Sequence, residues 1–151
     1  VKVQRRRGAI LVGLDAVERD LLTSLTTQYE DVLNDDDGDD PVHVRLFPSA
    51  YRDDADADEE FRRYTLEGLV ERKSANAGRV AAAVAAAGDG RILLDREAVD
   101  AWLPALTDLR LVIAERLGVH RDDDPLPDGQ LAQVYLWLGE LQARLIDALD
   151  R

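Results

Sequence analysis

The sequence predicts a mainly α domain, an α+β arrangement of about five helices and a minor two-stranded ribbon, packed around a central helix at 95–118. Two patterns carry that expectation. Apolar residues recur at three- and four-residue intervals through most of the chain. Two short apolar runs, AILVGL at 9–14 and ILL at 92–94, are each followed by an aspartate and then by such a helical pattern. At 151 residues the chain amounts to one domain, 1–151, large enough to bury a core without staples.

In chain order, residues 1–7 form a basic arm carrying Lys2, Arg5, Arg6 and Arg7, read as a solvated terminus or one edge of a first strand. Residues 9–14 are a buried strand. Asp15, with Glu18 three residues on, approximates a capping box for a helix whose stripe is Val17, Leu21, Leu25, Tyr29 and Val32. Residues 34–41 (NDDDGDDP) hold too much like charge to pack and read as an acidic flexible loop. Residues 42–51 read as an apolar connector in which Pro48 biases Phe47 towards extended backbone, Phe47 and Tyr51 anchor to the core, and His43 is exposed or partly packed. Asp56, Asp58, Glu59 and Glu60 suit a helix N-terminus. A helix follows over 65–87 with Leu66, Val70, Lys73, Ala77, Val80 and Val84 on its stripe, stopped by Gly88.

After the turn at Asp89 and Gly90, residues 91–94 form the second strand, expected to pair with the first because neither is stable alone. Asp95 then caps the central helix, whose stripe is Val99, Trp102, Leu106, Leu109, Ile113 and Leu117, with Gly118 as a left-handed stop. Pro104 removes one backbone hydrogen bond and should kink the axis near Asp100 unless the helix restarts there. Asp128 is expected to cap a last helix to about Leu149, striped by Leu131, Val134, Leu138, Leu141, Leu145 and Leu149. So broad an apolar face means central packing or a dimer seam, leaving monomer or homodimer open, with intramolecular packing favoured.

Thirty-one acids against nineteen Lys and Arg give a net charge of -12, which opposes general nucleic-acid binding. The absence of cysteine excludes disulfides, thiolate catalysis and Cys-ligated metals. No apolar run approaches a membrane span and no leader-like segment is visible, so the expectation is a soluble cytoplasmic protein. A calcium site fails on spacing: with Gly38 at the sixth loop position, Leu33 and Val44 stand where carboxylates are needed. Asp54, Asp56 and Asp58 fail similarly, with Glu59 at the glycine position. No phosphate loop, GxSxG elbow or metal-spaced His pair occurs, so the chain is expected to be no enzyme and to use no cofactor.

The polar residues that stand out lie on helices. Lys73 and Asn76 interrupt an apolar face, and Asp108 and Arg110 have no oppositely charged neighbour at three or four residues on their own helix. They either face solvent or find partners on other elements, and Lys73 or Asn76 is expected to meet Asp108 across a helix interface. Arg62 and Arg63 complete the candidate interaction residues.

RLFPSAY at 45–51, EFRRYT at 60–65, Lys73 with Asn76, AWLPALTDLRL at 101–111, RLGV at 116–119 and VYLWL at 134–138 follow one another in a specific order. In this the chain resembles the actinobacterial domain-of-unknown-function family that includes AosR-like oxidative-stress regulators. The resemblance implies a small cytoplasmic protein with a transcription-linked role through contact with a stress sigma factor or RNA polymerase. Members often encoded near a Clp protease adaptor give a second expectation, an adaptor linked to Clp proteolysis; a small-molecule enzyme or ligand-binding protein is a third. A cysteine pair can sense oxidant in that family, and this chain has none, so a thiol switch cannot operate in it.

Overall fold

The computed structural model describes residues 1–35, 40–48 and 59–150, and no side chain at 59, 61 or 62. Its elements in order are β1 (Lys2–Arg6), β2 (Ala9–Gly13), α1 (Ala16–Leu33), α2 (Pro41–Leu46), α3 (Glu59–Ala86), β3 (Arg91–Asp95), α4 (Arg96–Leu117) and α5 (Gln130–Leu149). The fold is mainly α with a small antiparallel sheet. The acidic stretches at 36–39 and 53–58, and Tyr51, lie outside the described residues.

The ribbon has three strands rather than two, in the order β1-β2-β3. The pairing expected between 9–14 and 91–94 is made as Ile10↔Leu94, Leu11↔Leu93 and Val12↔Ile92. The basic arm supplies the third strand, with Val3 opposite Val12 and Gln4 opposite Leu11. Val1 and Val3 alternate inward beneath the run of cations, and Gly8 turns the chain at φ 68°, a conformation that favours glycine. Gly90 is needed for a harder reason. Its φ is 77°, and a Cβ there would lie 2.1 Å from the Leu14 carbonyl oxygen, while the Leu14 N–H donates to Gly90 at 2.8 Å.

The caps form as their residues dictate. Asp15 and Glu18 make a full capping box on α1, Asp95 accepts from the Ala98 N–H, and Gly118 closes α4 at φ 74°. Arg19 sends Nη1 to the carbonyls of Ala87 (2.9 Å) and Gly88 (3.1 Å), so a cation of α1 satisfies the end of α3. Three expectations need correction. The segment expected to be an apolar connector contains α2, because Asp40 caps through the Val42 N–H and Pro41 fits the first helical position; His43 is accordingly buried. The α1 stripe turns by one residue onto Leu22, Thr26, Tyr29 and Leu33, leaving Val17 exposed. The cap of α5 is Gly129 at φ 131°, with no side-chain hydrogen bond, so Asp128 lies one position outside.

α4 runs unbroken through Pro104 and touches α1, α2, α3, α5 and β3. That makes it the axis of the fold. Val99, Trp102, Leu106, Leu109, Val112 and Ile113 bury its stripe, while α5 closes over it with Leu138, Leu141 and Leu145 fully covered within the same chain. Trp102 is the largest fully buried side chain. Trp102→Ala is expected to cost about 3–5 kcal/mol, read as a shifted midpoint in urea unfolding with unchanged slope; an unaltered midpoint would contradict its burial.

Candidate functional site

Within an α-helix successive residues turn by about 100°, so side chains two apart point to opposite sides. Asp108 and Arg110 follow that geometry and do not share a site. Asp108 faces α1 and α3. Its Oδ2 accepts from Tyr29 Oη at 2.5 Å and Lys73 Nζ at 2.7 Å, joining three helices at one carboxylate oxygen. The contact expected with Lys73 is therefore made, whereas Asn76 supplies neither hydrogen bond; Tyr29 does, and only its place on an apolar stripe was visible in the sequence.

The electrostatics follow from burial. Asp108 keeps 9% of its side chain exposed and Lys73 22%, so their ion pair sits at the edge of the core. Burial first, then the neighbouring Asp108 charge and the hydrogen bond to it, raise the Tyr29 phenol far above its ordinary value, so it remains a donor. Phe47 from α2 lies beneath, its ring centroid 5.8 Å from Lys73 Nζ and 5.9 Å from the His43 ring. A carboxylate oxygen with two donors, one cationic, is a locked structural junction, its Oδ2 already engaged.

Arg110 points to α5. Its guanidinium lies 4.6 Å from the centroid of Tyr135 and Nη1 reaches Gln142 Oε1 at 3.5 Å. Arg63 is exposed on α3, and the Arg62 side chain lies outside those described. Of the candidate residues whose side chains are described, Lys73 and Asp108 meet, and Arg110 points elsewhere. Among the described residues no group of three or more His, Asp or Glu is placed to hold a metal ion.

A second polar junction escaped the sequence reading. Glu18 accepts from the Asp15 N–H at 3.0 Å, from the Trp137 indole at 2.7 Å and from the Val1 nitrogen at 2.9 Å, tying α1 to α5 and to the start of β1. Burial opposes its charge, but these donors outweigh it and hold the carboxyl below its ordinary value of 4.5.

The outward face of the sheet is different in kind. By register it consists of the rows Lys2, Gly13, Arg91; Gln4, Leu11, Leu93; and Arg6, Ala9, Asp95. Leu93 is 64% exposed, and Leu11 is half-buried beside it. Lys2, Arg6 and Arg91 make no ion pair with any described carboxylate, although acids outnumber bases by 31 to 19. The face thus has an apolar centre with Lys2, Arg6 and Arg91 at three corners and Asp95 at the fourth.

A family model described as Domain of unknown function (DUF2017) matches residues 2–149. No curated protein and no solved structure matches the chain. No described helix is long and apolar enough to cross a membrane.

Two outcomes follow from these junctions. Lys73→Met leaves Asp108 half-satisfied and is expected to destabilise by about 3 kcal/mol, whereas combining it with Tyr29→Phe and Asp108→Leu should restore most of that loss in urea unfolding; equal loss in both variants would contradict a coupled junction. The lowered Glu18 value means that its stabilisation is complete above 4.5 and is lost as pH falls through the folded value. Glu18→Gln should therefore flatten the acid limb of a stability profile measured from pH 6 to about 3, and an unchanged limb would contradict the assignment.

Proposed function

The chain belongs to the family described as Domain of unknown function (DUF2017), and from that premise we propose that it is a non-enzymatic regulatory domain that works by binding a protein. The partner we propose is a sigma factor or RNA polymerase, in a stress-linked role as transcription co-regulator. The observation that carries this reading is the division of polar residues: Lys73 and Asp108 are bonded to each other inside the fold, while Leu93 stands uncovered beside half-buried Leu11, among cations without a described ion pair. A ligand-processing site needs convergent polar groups in a cleft, and a protein contact needs an apolar centre with a polar rim.

The succession RLFPSAY, EFRRYT, AWLPALTDLRL, RLGV and VYLWL supports the link to AosR-like regulators. Charge adds direction. The partner's docking segment would set acidic side chains around an apolar anchor against the sheet, and the remaining negative surface would steer the encounter with a basic region of that partner. Without cysteine, binding would be indifferent to oxidant.

Binding of the purified chain to the host's polymerase core and to each of its sigma factors, measured by biolayer interferometry, tests this. One of them should bind, with affinity unaltered by peroxide and weakened by salt. Leu93→Asp and the Lys2→Glu/Arg91→Glu pair should each weaken it by about tenfold, as expected for a central anchor and its rim. Failure of every sigma factor and of the core to bind would overturn the proposal.

A further inference from the structure

We propose that the cavity bordered by α4, α5 and the loop after Gly118 is a binding site for a compact oxyanion, carboxylate or phosphate, gripped by the guanidinium of Arg110. This goes beyond the protein contact proposed for the sheet and concerns a different surface. The cavity, of 180 Å³, is lined by Arg45, Arg110, His120, Arg121, Asp122 and Tyr135 among others. That is room for a phosphate or a small carboxylate.

Arg110 is a cation without an acid. In a chain with 31 carboxylate side chains, none of those described pairs with it. Its Nε is buried with no hydrogen-bond partner, and its one polar contact is the long approach to Gln142. A buried donor left open in this way is costly unless something fills it.

The group is also held in place. Its Cζ lies 4.6 Å from the centroid of the Tyr135 ring, a cation–π contact that holds the group over α5. Gly139 makes this possible: a Cβ there would come within 3.2 Å of Arg110 Cζ and Nη2. On the other side, Gln142 Nε2 is anchored by Thr107 Oγ1 at 2.5 Å. A guanidinium held in this way, with one long polar contact and no described acid, keeps donors that match the oxygens of a carboxylate or phosphate.

The rest of the lining is fixed by its own bonds and leaves Arg110 unpaired. Arg45 is fixed by Glu115 at 3.1 Å and the Val119 carbonyl at 2.9 Å, which also places Glu115 3.7 Å from His120 Nδ1. The loop itself is set by Asp124, which accepts from the N–H groups of His120 (2.9 Å) and Arg121 (3.0 Å). Arg121 is exposed and makes no ion pair with a described carboxylate. Glu115 balances Arg45, and Asp122 and Asp124 on the loop match the two remaining arginines in number, but neither Arg110 nor Arg121 makes an ion pair with a described carboxylate. The oxyanion arrives either free or on an acidic side chain of a bound protein, and the two sources separate experimentally.

The test is NMR of the full chain, following arginine Nε–Hε signals during titration with inorganic phosphate, succinate or the capped tripeptide Gly-Glu-Gly, against sodium chloride of equal ionic strength. At least one probe should shift the Arg110 signal saturably where chloride does not. Arg121→Ala, on the surface, should weaken binding by about tenfold, and Arg110→Lys, which keeps the charge but loses the fork, should abolish it in a protein whose amide spectrum shows the fold intact. Binding of phosphate or succinate without the tripeptide assigns a free anion; the tripeptide alone assigns a protein-borne carboxylate. Shifts no larger than those of chloride, or equal affinity in wild type, Arg121→Ala and Arg110→Lys, would overturn the proposal.

Discussion

One buried carboxylate constrains how the helices meet. Asp108 sits on the central helix, where its neighbours along the stripe are Leu106, Leu109 and Val112, and a charge there is tolerated only with donors in place. Tyr29 and Lys73 come from helices separated in sequence by 79 and 35 residues from it. Any sliding of α1 or α3 along α4 by a helical turn would take one of the two donors from Asp108. Apolar packing would accept several registers at modest cost, whereas the Asp108 junction accepts one.

The same logic explains how so acidic a chain packs helices closely. The ends of elements are tied by cations and amides placed where carbonyls and carboxylates lack partners: Arg19 on the end of α3, Arg45 on the end of α4, and the Trp137 indole on Glu18. These bonds bring together distant parts of the chain, with 119 residues between Glu18 and Trp137. Self-repulsion among the acids is left to the surface, where solvent screens it.

What was legible in the sequence was what local chemistry decides. Asp15 with Glu18, Asp95, and Gly118 each mark a helix end through bonds within four residues, and the α4 stripe was read almost residue for residue. The third strand was harder, because Lys2–Arg6 carries three cations and betrays its inward face only through Val1 and Val3. α2 is six residues long, too short for periodicity, though Asp40-Pro41 was a sufficient start signal. At the candidate site the sequence supplied Lys73 and Asp108 and left open where Arg110 would point relative to them. Helical geometry alone, two residues being about 200° apart, should have separated Arg110 from Asp108. Tyr29 had no visible signal, since a hydroxyl on an apolar stripe does not say which helix will face it.

That separation of Asp108 from Arg110 gives α4 two faces with different energetics. Towards α1 and α3, Asp108 Oδ2 holds both the Tyr29 hydroxyl and Lys73, and the junction is closed. Towards α5, Arg110 rests on Gly139 and Tyr135 with donors still open, so the α4–α5 seam is the place where a bound group can alter packing without breaking an ion pair. α5 continues from that seam to the sheet, where Arg144 donates to the Val1 carbonyl at 3.1 Å and Ala148 borders the cavity at Ile10 and Leu94. From Gly139 to Ala148 is nine residues, roughly 14 Å of straight helix. A displacement of α5 at Arg110 therefore reaches the base of the uncovered sheet face through one rigid element, and any energetic coupling between the two surfaces would travel by that element's two ends.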